Sequence, residues 1–301
     1  MEQVIFLRHQ FVQRTDATVS VFDHGLLYGD GIFEGIRVYS GNIFRLKEHL
    51  QRLYGSAKSI LLNIPYTLDE MTDIVSETVR RNELHDAYIR LVVTRGPGDL
   101  GLDPRKCPVS EVIVIAEQLS MFPAELYTRG IEVICASTRR PRSDVLSPKV
   151  KSLNYLNNIL VKLEAQAAGV NEALVLNNEG YVVEGSGENV FMVRDGVLYT
   201  PPTYLGALEG ITRGAVLELA AELGIPVREE PFSRHDVYIA DEIFLTGTAA
   251  EMIPVIRVDG RTIGDGRPGI VNGRLHQLFH ERTKVDGHQV YPPVSMISEG
   301  A

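Results

Sequence analysis

The chain has 301 residues, of which 44% are hydrophobic and 23% are charged, as in an ordinary soluble globular protein. Its formal net charge of −9 argues against nucleic-acid binding, because neutralising phosphates requires a basic surface. Two cysteines, Cys107 and Cys135, form no CxxC pair and are too few for a disulfide framework, so we expect a cytoplasmic protein. Neither a signal peptide nor an apolar run of about 18 residues is visible, so we expect no membrane segment.

The first 118 residues mix strand and helix patterns. Gly41-Asn42 predicts a hairpin turn between strands at 35–39 and 43–45. Further strands are expected at 87–94 and 112–116, with a Gly- and Pro-rich loop between them. Apolar residues at helical spacing predict a helix after the hairpin: Leu46, Leu50, Leu53 and Ala57.

Residues 119–129 are typical of an interdomain linker, with polar ends and Pro123 in the middle. Beyond them the patterns predict an alternation of strands, helices and turns without the steady βαβ repeat of a doubly wound sheet. The sequence therefore favours an α/β fold with domains at 1–118 and 130–301. The elements expected in the second domain are a strand at 131–136, a loop at 137–148, an amphipathic helix with Leu156, Ile159, Leu160 and Leu163 on one face, a turn-rich meander, a helix at 211–223, a strand at 243–246 and a small-residue turn at 247–250.

Several catalytic motifs are missing from the sequence. It contains no GxSxG elbow, no HExxH pair and no Walker A lysine. Gly29-Asp30-Gly31 begins like a dinucleotide fingerprint but lacks the third glycine at the right offset. We expect no metal site.

Lys151 stands just before a helix expected to begin near Asn154. A partly desolvated lysine at the positive end of a helix has its ammonium form disfavoured, and the neutral amine can attack a carbonyl. A solvated lysine at a helix start fits the same pattern, so position alone leaves both interpretations open.

Other groups could complete a phosphate-binding cofactor site. Thr212 opens the second helix, and helix N-termini bind phosphate through free N–H groups. The turn at 247–250 could close on the same phosphate, and Arg52 could supply a cation. Glu184, in a setting of small residues, could face a ring nitrogen. Each of these also fits an ordinary cap, surface arginine or turn glutamate.

Taken together, five blocks resemble the class IV, or fold type IV, pyridoxal-phosphate aminotransferases, especially the branched-chain amino acid aminotransferases. The resemblance runs from about Phe22 to Arg282, and the blocks follow the family order. They are Tyr28-Gly29-Asp30-Gly31-Ile32-Phe33-Glu34-Gly35, Lys151-Ser152-Leu153-Asn154-Tyr155, Glu184-Gly185-Ser186-Gly187-Glu188-Asn189, Gly210-Ile211-Thr212-Arg213 and Gly247-Thr248-Ala249-Ala250-Glu251.

The resemblance implies a two-domain fold of the D-amino acid aminotransferase type, with pyridoxal 5'-phosphate between a small N-terminal domain and a larger pseudo-barrel domain. Lys151 would be the Schiff-base lysine and proton carrier, Tyr155 would bind the cofactor's O3′, and Glu184 the pyridine nitrogen. Leu208 would press on one ring face. The phosphate would be held by Arg52, Ile211, Thr212 and Thr248.

The same resemblance implies ping-pong transfer of an amino group from a branched-chain L-amino acid to 2-oxoglutarate, by a homodimer or higher homo-oligomer. The Tyr88-Ile89-Arg90 triplet is unlike that of the D-amino acid relatives. Two departures bear on these roles: Lys149 is a second lysine in the segment, and the linker at 120–123 lacks the family's Gly-Ala-Tyr stretch. The implied substrate contacts are Tyr28, Phe33, Gly35, Arg37, Tyr88, Arg90, Thr248 and Ala249.

Three alternatives stay open from the sequence. A D-amino acid or (R)-amine transaminase and an aminodeoxychorismate lyase share the fold. A non-catalytic cofactor-binding protein is the third, and the intact lysine, glutamate and tyrosine argue against it.

Overall fold

The structure is a computed structural model that describes residues 2–118 and 121–291. The chain forms two compact units. Among the described residues, the first comprises 2–118, 151–153 and 281–291, and the second comprises 121–150 and 154–280. The division expected from the sequence, with a linker at 119–129, stays a prediction, and Leu119 and Ser120 lie outside the described residues.

The strands are β1 (Val4–Leu7), β2 (Gln10–Gln13), β3 (Gly31–Tyr39), β4 (Asn42–Phe44), β5 (Ala87–Thr94), β6 (Glu111–Glu117), β7 (Ile131–Arg139), β8 (Glu172–Leu176), β9 (Val182–Glu184), β10 (Asn189–Arg194), β11 (Val197–Thr200), β12 (Val227–Glu229), β13 (Glu242–Gly247), β14 (Glu251–Val258), β15 (Arg261–Thr262) and β16 (Gly287–Gln289). The α-helices are α1 (His24–Tyr28), α2 (Leu46–Ser59), α3 (Leu68–Arg81), α4 (Ala124–Arg129), α5 (Leu156–Ala167), α6 (Ile211–Glu222), α7 (Arg234–Tyr238) and α8 (Ile270–Thr283).

An antiparallel sheet in the order β16-β4-β3-β5-β6-β1-β2 forms the first unit. Helix α2 packs on β3, and the apolar residues that predicted it are all buried. Helix α3, which the sequence patterns did not predict, begins at a Thr67–Glu70 capping box and packs on β1 and β6. Together the two helices cover apolar residues of the sheet.

The predicted hairpin is confirmed, but its turn lies one residue earlier than expected. Tyr39 pairs with Asn42, which leaves Ser40 and Gly41 as the two turn residues, at φ 50° and 82°. A two-residue turn of this hand needs positive φ at both positions. Asn42 instead belongs to β4, where its buried amide donates to the carbonyl of Thr283.

The second unit is built on a mixed sheet in the order β12-β11-β10-β13-β14-β7-β8-β9, with β15 on β14. The pairs β11–β12, β14–β7 and β7–β8 are parallel, and the others are antiparallel. Helix α5 packs on β7 and β8, and α6 packs on β13. The α/β class expected from the sequence is confirmed.

Helix α5 buries a different face from the one that its periodicity suggests. Val161 and Ala165 are fully buried beneath the helix. The residues of the apolar stripe used to predict it are between 44% and 67% exposed, at Leu156, Ile159, Leu160 and Leu163. Helical spacing locates a stripe but does not determine what covers it.

The stretch expected to be a linker is partly helical. Leu126 and Tyr127 of α4 pack against the apolar core of the second unit, as does the buried ring of Phe122. From Phe122 onward this stretch therefore belongs to the packed second unit. Strand β7 also continues to Arg139, so the polar loop after it begins later than expected. Within the described residues, no helix has the length and apolar character to cross a membrane.

Candidate active site

Lys151 is fixed by backbone pairing with β3 and by a hydrogen bond to a side chain of α2. The N–H of Phe33 donates to the Lys151 carbonyl at 3.0 Å, and the N–H of Leu153 donates to the Gly31 carbonyl at 2.9 Å. The Lys151 N–H donates to Ser56 Oγ at 3.2 Å. Because α5 begins only at Leu156, the expectation that Lys151 stands at a helix terminus is wrong. A sheet edge, rather than a helix, positions this lysine.

The side chain of Lys151 lies against an aromatic and cationic surface. Its Nζ is 4.6 Å from the ring centroid of Phe33, and the Arg90 Cζ is 4.5 Å from the same centroid. Arg90 also lies 5.4 Å from the Tyr88 ring. The first unit therefore brings an amine, a guanidinium and two aromatic rings together.

Strand pairing explains why these residues meet. Gly35 pairs with Arg90 and Arg37 pairs with Tyr88 in the β3–β5 ladder, so their side chains share one sheet face. A Cβ on Gly35 would lie 2.1 Å from the Tyr88 hydroxyl, so any larger residue would displace the Tyr88 ring. Tyr28, on α1, is placed separately: its hydroxyl accepts the Gly101 N–H at 3.0 Å.

Arg52 is oriented by Glu34, which faces α2 from the opposite side of β3. Its Nε and Nη2 donate to the two Glu34 oxygens at 2.8 and 2.7 Å, while His49 Nδ1 lies 2.8 Å from Glu34 Oε2. Burial would raise the pKa of Glu34, but the charge and hydrogen bonds of Arg52, helped by His49, lower it to about 2. Burial lowers the pKa of His49 against the opposing pull of Glu34. The sequence patterns missed both Glu34 and His49.

In the second unit Glu184 ends β9 and is held by three groups. Arg140 Nη2 lies 2.8 Å from its Oε1, and the Leu208 N–H donates to its Oε2 at 3.0 Å. Asn189 Nδ2 lies 3.5 Å from Oε2 and donates to the Leu208 carbonyl at 2.9 Å. The structure thus brings together the two predicted residues Glu184 and Leu208. Arg140 and Asn189 had not been assigned these positioning roles.

The start of α6 offers backbone donors. Gly210 is its N-cap residue, and no side chain of the described residues caps this end. A Cβ on Gly210 would lie 2.0 Å from Asn189 Oδ1, so a larger residue here would displace the Asn189 side chain. The N–H groups of Ile211 and Thr212 stand in the first helical turn, where an anion is favoured.

The remaining predicted residues lie on the second unit. Thr248 and Ala249 form the turn between β13 and β14, as expected, and Tyr155 is the N-cap residue of α5. Lys149 is engaged elsewhere, with its Nζ 2.6 Å from Glu209 Oε1 on the surface. The groups found in each unit are of the kinds that an aldehyde, a phosphate and a cationic ring nitrogen require.

The chain resembles known proteins over almost its whole length. Residues 31–258 match the family model described as amino-transferase class IV. A protein of Methanocaldococcus jannaschii, provisionally named as a branched-chain-amino-acid aminotransferase, is 55% identical over 287 residues, 95% of this chain and 99% of its own. The branched-chain-amino-acid aminotransferase of Escherichia coli K12 is 41% identical over 281 residues, 91% of each chain.

Solved structures give the same result. The crystal structure of the Escherichia coli branched-chain amino acid aminotransferase superposes with a TM-score of 0.92 at 39% identity, covering 96% of this chain and 97% of that one. The T.th. branched-chain amino acid aminotransferase, complexed with N-(5'-phosphopyridoxyl)-L-glutamate, superposes with a TM-score of 0.89 at 42% identity, covering 94% and 95%. The latter enzyme is also known complexed with 4-methylvaleric acid.

Proposed function

The chain belongs to the class IV aminotransferase family, and from this premise we propose that it transfers the amino group of branched-chain L-amino acids to 2-oxoglutarate. In the first half-reaction the amino acid leaves as its 2-oxo acid. In the second, 2-oxoglutarate takes up the amino group and leaves as L-glutamate. The cofactor is pyridoxal 5'-phosphate, which when bound supplies an electron sink for the carbanion at Cα.

One observation carries the proposal. The Lys151 amine and the Arg90 guanidinium both lie within 5 Å of the Phe33 ring centroid, at 4.6 and 4.5 Å. An amine is the group that attaches to an aldehyde cofactor and moves a proton at Cα. A guanidinium binds a carboxylate through two hydrogen bonds. The apolar Phe33 ring that both groups contact suits a substrate with a hydrocarbon side chain.

Each proposed cofactor contact uses a group that is held in place within its own unit. Lys151 Nζ would be the covalent attachment point of the cofactor and would accept and return the Cα proton. Glu184, aligned by Arg140 and Leu208, pairs with the ring nitrogen. Tyr155 binds O3′ and Leu208 contacts one ring face. The phosphate is held by Arg52, the Ile211 N–H, Thr212 and Thr248.

Substrate contacts lie mainly on the β3–β5 surface. Phe33, Tyr88 and Tyr28 provide apolar contact for the side chain, which agrees with the binding of 4-methylvaleric acid by the T.th. relative. Arg90 meets the side-chain carboxylate of glutamate, which the same site must also accept. Gly35 leaves room for Tyr88. Arg37, Thr248 and Ala249 complete the proposed contacts.

We also propose that the enzyme is a cytoplasmic homodimer or a larger homo-oligomer. The exposed apolar stripe of α5 supports this assembly, because contiguous apolar surface of this kind usually meets a partner. Both cysteines are free, which agrees with a reducing compartment. Sedimentation at micromolar concentration tests the assembly, and a mass of one chain would contradict it.

A half-reaction series tests the activity. The holoenzyme is mixed with single L- and D-amino acids, and the cofactor absorbance is followed with time. Each buried methylene contributes about 0.8 kcal/mol, so L-leucine, L-isoleucine and L-valine should exceed L-alanine by roughly 10- to 100-fold. Faster turnover of D-alanine or (R)-phenylethylamine than of L-leucine would overturn the substrate assignment, and release of pyruvate from aminodeoxychorismate would indicate the lyase.

Borohydride reduction tests the attachment point. Peptide mapping after reduction should find the pyridoxyl label on Lys151. Lys149 is the internal control, since it lies two residues away and its amine is bound to Glu209. A label on Lys149 would contradict the assignment.

A further inference from the structure

Three potential metal ligands converge in the second unit, and none of them has been assigned to cofactor or substrate above. Glu251 is the first residue of β14, and His276 and His280 lie one turn apart on α8. One ligand atom from each of the three lies within 4.8 Å of the others. His276 Nε2 is 3.0 Å from His280 Nε2, and Glu251 Oε2 is 3.3 Å from His280 Nε2 and 4.0 Å from His276 Nε2.

Sequence spacing and backbone geometry both contribute to this convergence. Residues four apart on a helix lie on the same face, so the two imidazoles project in one direction. Glu251 has a φ of 53°, in the left-handed region that a non-glycine residue adopts only where its surroundings demand it. That conformation ends the turn at residues 248–250 and places the Glu251 carboxylate beside α8.

Neighbouring rings restrict the two imidazoles. The Tyr127 ring stacks on His276 at 6.2 Å with an interplanar angle of 11°, and Phe279 meets His280 edge-on at 6.3 Å. The side chains of Glu251, His276 and His280 are 12%, 25% and 43% exposed. The site is therefore preformed on one side and open to a small solute on the other.

The donor separations match those around a small transition-metal ion. Metal–ligand distances of about 2.0–2.1 Å in a tetrahedral site place the ligand atoms roughly 3.3 Å apart. Two of the three observed separations lie within 0.3 Å of that value, and the third needs a small side-chain rotation. Calcium and magnesium prefer all-oxygen sites, whereas imidazole nitrogen suits zinc, nickel and copper.

We propose that Glu251, His276 and His280 form a binding site for a divalent transition metal of the Zn²⁺ type, with at least one coordination position left to solvent. This differs from the expectation of no metal site drawn from the sequence. The site makes no use of the residues that bind cofactor or substrate.

Zinc titration of the holoenzyme tests the proposal. The enzyme is treated with a chelator, dialysed and titrated calorimetrically with ZnCl₂, and Co²⁺ is added in parallel to report coordination through its visible absorbance. One equivalent of Zn²⁺ per chain should bind. His280→Gln and His276→Gln should each weaken the affinity at least about 10-fold, because even loss of an outer partner of a ligand has that effect.

His235→Gln is the matched control, because His235 is an exposed histidine on α7 of the same unit. Its zinc isotherm should equal that of the wild type, and a cofactor absorbance that stays constant as zinc is added excludes zinc bound to the cofactor. His280 is nearly half exposed, so its replacement should leave the fold intact, as circular dichroism will verify. Failure of wild-type protein to bind zinc below millimolar concentration, or an unchanged isotherm for His280→Gln, would overturn the proposal.

Discussion

Arg140 and Glu184 form an almost fully buried ion pair, with Nη2 and Oε1 2.8 Å apart and side chains 4% and 9% exposed. The same guanidinium donates to Asn157 Oδ1 at 2.9 Å and to the Gly185 carbonyl at 3.3 Å. Glu184 is therefore fixed from two sides, by Arg140 and by the Leu208 N–H. A carboxylate fixed in this way is suited to meet a ring nitrogen without reorganising.

Glu184→Gln should keep the cofactor bound while slowing the half-reaction with L-leucine by about 10²-fold, the usual effect of removing one preorganised electrostatic partner. Stopped-flow absorbance measures the rate, and cofactor content is measured separately. Glu209→Gln is the control, because this carboxylate is 60% exposed and pairs with Lys149. An unchanged rate in Glu184→Gln would place the ring-nitrogen partner elsewhere.

Arg140→Met should lower the free energy of unfolding by about 3–5 kcal/mol, because it leaves the Glu184 charge buried without its partner. Urea unfolding measures the change. Arg142→Met removes an arginine that is 62% exposed and pairs with Asp144, so it should cost less than about 1 kcal/mol. Combining Arg140→Met with Glu184→Gln should recover part of the loss. Equal effects of the two arginine substitutions would disprove a special role for Arg140.

Arg52 is expected to act on cofactor affinity rather than on chemistry. Removing Arg52 alone would leave the buried Glu34 carboxylate without its cationic partner. Arg52→Ala is therefore best made in a Glu34→Gln background and compared with Glu34→Gln alone. A hydrogen bond to a charged group contributes about 1.5–3 kcal/mol, so the pyridoxal phosphate Kd should rise roughly 10- to 150-fold. Thr212→Ala should also weaken binding. If neither Arg52→Ala nor Thr212→Ala changes the affinity for pyridoxal phosphate, the phosphate binds elsewhere.

Arg90→Ala should impair 2-oxoglutarate and glutamate far more than leucine. Only the two dicarboxylic substrates present a side-chain carboxylate to the guanidinium, and a charged hydrogen bond of about 1.5–3 kcal/mol predicts a loss of roughly 10-fold or more in kcat/KM. Leucine measured on the same enzyme is the control. Equal losses for leucine and glutamate would show that Arg90 supports the pocket rather than selecting the carboxylate.

Glu188 should make the protein less stable as pH rises. Burial raises the pKa of Glu188 to about 8, and the negative charge of Glu172 also raises it. The hydrogen bond from the Gly187 N–H acts in the opposite direction and lowers it. Between about pH 4.5 and 8 the folded chain holds a proton that the unfolded chain has released, so stability falls across that range. Glu188→Gln cannot titrate, and its Tm relative to wild type should therefore rise from about pH 5 to about pH 9. A constant difference in Tm would contradict the shift.

Local patterns predicted much of the fold. Helix α2, strand β5 and helix α6 agree with the sequence expectation within one or two residues, because apolar spacing and glycine stops act over short distances. Helix α3 was missed although its Thr67–Glu70 capping box is visible in the sequence. The apolar stripe of α5 was recognised from its helical spacing. Whether such a stripe is buried depends on tertiary packing, which periodicity does not determine.

The site shows a similar limit. Lys151, Glu184 and Thr212 stand in motifs, so the sequence predicts them as candidates. Arg140 precedes Glu184 by 44 positions and belongs to no motif, so only folding reveals the pair. Glu34 lies inside the motif at residues 28–35, yet its contact with Arg52 depends on which face of β3 turns towards α2. Long-range pairing of charges is the part that single-sequence reasoning does not supply.

The three-residue segment 151–153 belongs to the first unit, although the residues on both sides of it belong to the second. A fragment ending near residue 119 would therefore lack the strand-like partner of Gly31 and Phe33, and also β16, which pairs with β4. Open edges of this kind invite association with other chains. The first unit thus cannot be obtained intact by cutting the chain once, and such a cut would separate its sheet from the lysine that it positions. The sheet of this unit is complete only once β16, in the last tenth of the chain, has been made.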